Sequence, residues 1–182
     1  MRAWAIVLVF AACGGDGGNN GIDGGGSGSG HGSGSGTGSG SGSGSGSGAL
    51  TVKAFCVQQT NAYRAMNSKP ALTESTSLET YADAGAMYDF TNGPHSHFES
   101  TSGGGIAFAE NECPGSDGWN LPPGGDMMAL VGQCLDAFYS EGPGSDYSTH
   151  GHYINMMGAY GTLGCGIYQS GTEVTIVQDY GM

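Results

Sequence analysis

The chain has 182 residues and a formal net charge of −12, with 4 Lys or Arg against 16 Asp or Glu. Nucleic acids and other polyanions are held by Lys and Arg that displace counterions, so this balance excludes nucleic-acid partners, disfavours anionic headgroups and favours cations. Of the residues, 38 are glycine, half of them crowded near the N-terminus where no core can be buried, and one folded domain is expected.

The opening segment, "MRAWAIVLVFAAC", carries Arg2, an apolar run from Ala3 to Ala12 and small residues before Cys13. That is the plan of a secretory signal, and it is too short to span a bilayer. Its end also resembles the bacterial lipobox, with Phe10 where that motif usually has Leu. The resemblance implies a signal peptide over residues 1–13, lipidation of Cys13 and attachment to the bacterial outer membrane; plain cleavage nearby would give a secreted protein instead. Residues 14–48 are almost entirely Gly and Ser, which cannot repay the entropy of ordering, so a disordered tether is expected. As a random coil it would span roughly 30 to 35 Å. His31 within it is a tolerated polar residue. The folded domain is expected over residues 49–182.

From Ala54 to Ala65, apolar Phe55, Val57, Ala62 and Ala65 predict a helix that Asn67, Ser68 and Pro70 end. In "LTESTSLETYADAGAMYDF", Ser75 or Thr76 can cap a second helix, with Glu79 completing a capping box from Thr76 and Leu78, Tyr81, Ala82, Gly85 and Ala86 along one face. Residues 91–126 read as loops, interrupted by the short apolar piece "GIAFAEN". Met127 to Glu141 reads as a third helix stopped by "GPG" at 142–144, and "TLGCGIYQ" and "EVTIVQDYG" read as two strands joined by a turn. Helices first and a closing hairpin last predict an α+β domain with a layered αβα arrangement.

Four cysteines remain beyond Cys13: Cys56, Cys113, Cys134 and Cys165. An even count in an exported chain predicts two disulfides, with the pairing open, and the spacing is too wide for a compact CxxC zinc site. Cys165 is accordingly read as a disulfide cysteine rather than a nucleophile, and no Ser-His-Asp set can be singled out.

Several segments, in order, resemble the signatures of the CAP superfamily, which comprises cysteine-rich secretory proteins, antigen 5 and plant pathogenesis-related 1 proteins. They are "TNAYRAMN" with Asn61 and Arg64, "PALTESTSLETYADAGA", "AENE", "DAFYSEG", "HGHYINMM" and "LGCGIY". "FYSE" is similar to the family's WY.E segment with Phe138 in place of Trp, "GHYINM" to its HYTQ segment, and "LGCG" is nearly literal. The resemblance covers residues 54–182 and implies a three-layer αβα sandwich with a cavity lined by two His and two Glu. Glu110 matches the glutamate of the GEN segment, with Ala109 in place of Gly; Glu141 matches that of WY.E; His152 matches the histidine of HYTQ. The first histidine is His97 if the spacing from Leu78 is followed, and His95, followed by Ser96, is the alternative. His150 reads as an exposed neighbour of His152.

A carboxylate that starts partly buried needs a partner. With no Lys or Arg beyond Lys69, the partners available to Glu110 and Glu141 are histidinium, backbone amides or a metal. Imidazole plus carboxylate suits Zn2+, so His97 and His152 are candidate ligands of a weak zinc site, with Glu110 and Glu141 beside them. Two functions follow. The first is a surface-tethered module that binds a lipid, peptide or protein through this cleft, with Met127, Met128, Met156 and Met157 available for adaptable contacts. The second is a metal-assisted hydrolase in which Glu110 or Glu141 is the general base, although the chain has no HExxH spacing.

Overall fold

A computed structural model describes residues 50–182. The signal segment, Cys13 and the Gly/Ser tether lie outside the described residues. Along the chain run helix α1 (Val52–Met66), strand β1 (Thr73–Glu74), helices α2 (Thr76–Asn92) and α3 (Ser96–Thr101), strand β2 (Ala109–Cys113), helices α4 (Met127–Ser140) and α5 (Tyr147–Met156), and strands β3 (Thr162–Ser170) and β4 (Glu173–Gly181).

The layering follows from three consecutive residues of β3. Side chains alternate across a strand. Cys165 points to one face, where it is bonded to Cys56 of α1. Gly164 and Gly166 open the other face to α2 so closely that a Cβ at either would lie 2.3 Å from the Leu78 carbonyl carbon or 2.1 Å from that of Ala82. The "LGCG" pattern thus lets a helix backbone rest on the sheet on one side while the cysteine staples a second helix to the other. The sheet order is β1-β3-β4-β2, with β1 parallel to β3 and the other neighbours antiparallel. The molecule is the expected α+β, three-layer αβα sandwich. Its main core, on the α1/α4 side, gathers Val131, Leu135, Phe138, Leu163, Ile176 and Tyr180, and a small second cluster of Ala82, Ala86 and Val177 lies under α2. The second disulfide joins Cys113, at the end of β2, to Cys134 of α4.

Local chemistry sets the helix ends. Thr51 accepts from the Ala54 N–H, Ser75 from Leu78, Asp126 from Met128 and Asp146 from Ser148, each satisfying an otherwise orphaned amide. At α2 the cap is Ser75, so Glu79 falls one position too late for the capping box and its N–H simply bonds the Ser75 carbonyl. Arg64 is buried and donates to the carbonyls of Pro70, Met156 and Gly158. Those bonds tie α1 to the end of α5 and take this guanidinium out of the search for a carboxylate partner.

Two elements that position the site differ from the sequence reading. Residues 109–113 form a strand although they were expected within a loop region, because "AENEC" carries polar side chains at positions that are all buried. Residues 147–156 form a helix despite Gly151 and several weak helix formers. The Asp146 cap starts it, and burial of Gly151, His152 and Met156 on one face holds it.

Candidate functional site

The site is built around edge strand β2. Alternation sends Glu110 and Glu112 toward α2 and Asn111 toward α5. On the α2 side, Glu110 is paired in register with Asp179 of β4, and Glu112 with Val177. On the other side, the Asn111 amide donates to the His152 carbonyl at 3.1 Å, and the Asn155 amide donates to the Glu110 carbonyl at 3.1 Å. One strand therefore carries both halves of the site.

The first half centres on His95. The chain turns at Gly93 (φ 97°), and His95 itself adopts φ 61°, a left-handed conformation uncommon for a residue with a Cβ. Two contacts offset that cost. The His95 N–H donates to Glu112 Oε2 at 2.7 Å, and His95 Nδ1 lies 2.8 Å from Glu110 Oε1. His97, two residues on, donates its backbone N–H to Asp89 Oδ1 at 2.7 Å and packs its ring against Tyr81 and Tyr88. Its Nδ1 points toward Gly85.

The second half is His152 with Glu141. His152 Nδ1 lies 2.5 Å from Glu141 Oε1, and the N–H groups of His152 and Tyr153 donate to Glu141 Oε2 at 2.9 and 3.2 Å. The ring stacks on Phe138 with 4.4 Å between centroids. A carboxylate on Nδ1 fixes the proton there and leaves Nε2 as the free lone pair, the arrangement that orients a metal-binding or basic imidazole. His152 Nε2 is buried and without a hydrogen-bond partner. His150 instead places Nδ1 2.7 Å from the Glu141 carbonyl oxygen, holding the turn before α5.

The electrostatics of the first half are unusual. Asp89, Glu110, Glu112 and Asp179 are all buried. Burial, relieved in part by the His97 amide and His95, pushes Asp89 up to about 6. Burial likewise takes Glu112 to about 7 against the pull of His95. Glu110 is raised well above the ordinary carboxylate range by burial and then by its neighbours Glu112 and Asp89, and Asp179 by burial and by Glu110. His97 is lowered by burial, which favours the neutral ring. Glu141 behaves oppositely. Burial alone would raise it, but the bonds from His152 and Tyr153 hold it below its usual value.

The ligand atoms of His95, Glu110 and Glu112 lie within 4.8 Å of one another, and this group could hold a metal ion. Its donors suit one: Glu112 Oε1 is a buried oxygen with no hydrogen-bond partner, and Glu110, beyond His95, meets only the Asp179 carboxyl, with which it can share a proton, a condition that costs free energy unless a proton or cation satisfies these oxygens. Of the residues expected from sequence, the structure brings Glu110 to His95, and Glu141 to His152, and it turns the His97 ring aside toward Gly85. Asp89, Glu112 and Asp179 were not anticipated. Strand alternation in "AENEC" and "VQDYG" would have pointed to the last two, since each shares a face with its neighbour two residues away.

A family model described as the cysteine-rich secretory protein family (CAP) matches residues 57–180. No curated protein matches the chain.

Proposed function

This chain belongs to the CAP family of cysteine-rich secretory proteins, and from that premise we propose that it is an exported binding module whose cleft along β2 takes a lipid, peptide or protein ligand beside a divalent cation. The observation that carries the reading is the pair of buried, unpartnered polar atoms on the two sides of one strand: Glu112 Oε1 and His152 Nε2. Groups that cost this much to bury are accounted for by something that binds them. Exposed Phe108 directly before β2, and exposed Met87 and Tyr88 on α2, supply apolar surface beside these polar groups, as an amphipathic ligand requires. A chain with disulfides suits an oxidising, extracytoplasmic compartment.

Zinc is the ion we assign, because one imidazole with carboxylates is a donor set it accepts. His95, Glu110 and Glu112 hold it, and His152, oriented by Glu141 and stacked on Phe138, lies on the other side of β2, where its carbonyl accepts from Asn111. Calorimetric titration with zinc should show binding that His95→Ala weakens by roughly tenfold or more. An equal loss in His152→Ala would place His152 Nε2 on the same ion, whereas unchanged binding in His95→Ala would overturn the assignment. His150→Ala should leave it unaltered, since that ring is spent on backbone carbonyls.

A metal-assisted hydrolase is the second reading, favoured by the Glu141–His152 pair with its free Nε2. Zinc-dependent cleavage of a peptide or ester library, lost in both Glu110→Gln and His152→Ala, would establish it. The tether and anchor rest on residues 1–48. Cys13→Ser should move the protein from the membrane to the soluble fraction, and a variant that stays membrane-bound would refute lipidation there.

A further inference from the structure

Strand β2 ends the sheet, with β4 on one side and, among the described residues, no strand on the other. All five of its residues are nevertheless buried. An edge strand so placed has backbone groups that neither a neighbouring strand nor water satisfies. Helix α5 takes the neighbour's place. Asn155 Nδ2 donates to the Glu110 carbonyl and to Asn111 Oδ1, both at 3.1 Å, and Asn111 Nδ2 donates to the His152 carbonyl at 3.1 Å. His152 and Asn155 are three residues apart and so share one face of α5. Three hydrogen bonds thus join that face to two consecutive residues of β2.

The other partners of the two amides fix which way each one faces. The Tyr147 hydroxyl donates to Asn155 Oδ1 at 3.5 Å, which leaves the NH2 end turned to β2. Asn111 Nδ2 also donates to the Tyr180 hydroxyl oxygen at 3.0 Å. That hydroxyl gives its own proton to Gln178 Oε1 at 2.7 Å, and Gln178 Nε2 donates to Thr60 Oγ1 at 2.7 Å. Asn111, Tyr180, Gln178 and Thr60 are all fully buried. A buried network whose members are all satisfied favours a single arrangement. Aspartate at 111 would lack the donors that the His152 carbonyl and Tyr180 require, and an aliphatic residue would leave Asn155 unpaired as well.

We infer that Asn155 and Asn111 are positioning residues of the site: their paired amides hold β2 in one rotation against α5. Glu110 and Glu112 flank Asn111 and send their side chains to the opposite face of the strand. The rotation of β2 therefore sets where the two carboxylates meet His95. Side chains that converge on one ion need positions held to about 0.5 Å. The effect on cation affinity rests on the cation assigned to His95, Glu110 and Glu112, whereas the brace itself does not.

Asn155→Ala provides the test, because Asn155 is half-buried, whereas a change at Asn111 opens the core network and endangers folding. Thr60→Val is the control: it removes the far end of the same network and costs stability without touching α5. Hydrogen exchange of the full chain in chelator, read by mass spectrometry, compares β2 with β3. Exchange of β2 relative to β3 should quicken about tenfold in Asn155→Ala and stay as in wild type in Thr60→Val. Calorimetric titration with zinc chloride should show affinity lower by about tenfold in Asn155→Ala and unchanged in Thr60→Val. Unchanged exchange of β2 in Asn155→Ala would overturn the brace. Quickened exchange with unaltered zinc affinity would overturn its positioning role, and so would an equal fall in both variants, which would report lost stability rather than lost position. A wild type that binds no zinc would count against the cation alone, with β2 exchange still deciding the brace.

Discussion

In the presence of a chelator, the protein should be more stable at pH 5 than at pH 8, the reverse of the usual acid sensitivity of paired carboxylates. Asp89 on α2, Glu110 and Glu112 on β2 and Asp179 on β4 all have raised pKa values in the fold. Around them stand His95, His97 and Glu99 on the α3 side, Asp117 and the Tyr81 hydroxyl. None of these offers a permanent positive charge. Each raised carboxyl binds its proton more tightly folded than unfolded, so the folded chain holds more protons between the two pKa values. Stability is therefore present in full below the unfolded values near 4 and is lost as pH climbs through about 6 for Asp89 and about 7 for Glu112. Those two groups alone account for about 4 kcal/mol between pH 5 and pH 8, a large share of the 5 to 15 kcal/mol typical of a domain. Glu141, held low by His152, does not interfere, because its contribution is lost only in more acid solution, whereas His97, whose lowered pKa favours the neutral ring, offsets part of the gain at pH 5.

Urea unfolding at the two pH values measures the difference. Zinc added at pH 8 should restore the lost stability, because the ion replaces the protons and the carboxylates can then ionise at no penalty. Glu112→Gln, an amide in place of a protonated acid, should flatten the profile by roughly 3 kcal/mol while changing little at pH 5. Equal stability at pH 5 and pH 8 in chelator would show that these carboxyls are not proton-bound in the fold, and with that the electrostatic case for a cation would fall.

The parts of this arrangement that could be read from sequence are those written in periodicity. Helices α1, α2 and α4 carry apolar residues at helical spacing with a cap or a breaker at their ends, and β3 and β4 alternate and flank a turn. Strand β2 hid because its buried residues are Glu110, Asn111 and Glu112, whose burial makes sense only once Asp179, His95 and α5 surround them. Helix α5 hid because packing, not propensity, holds it. The first histidine depended on a backbone angle. The spacing from Leu78 pointed to His97, yet the left-handed turn at His95 sets that ring against Glu110 and leaves His97 over Gly85. Nothing in "PHSHF" announces a positive φ at a histidine.

Replacing Cys56 and Cys165 together by alanine should cost about 4.7 kcal/mol. The two cysteines are 109 residues apart, so their bond closes most of the folded chain into one loop in the unfolded state. Cys113 and Cys134 are 21 apart. Loop-closure entropy grows with the logarithm of length, and the ratio of these loops makes the shorter bond worth about 1.5 kcal/mol less. Denaturant unfolding of the two double-alanine variants tests the ranking, and equal losses would mean that something other than chain entropy sets them. Position adds a functional contrast. The longer bond pins α1 to β3 on the face away from α2, so the folded fraction of that variant should bind zinc as wild type does. The shorter bond holds the end of β2, one residue beyond Glu112, against α4. Its loss frees the strand that carries Glu110 and Glu112, and zinc affinity should fall in that variant despite its smaller loss of stability.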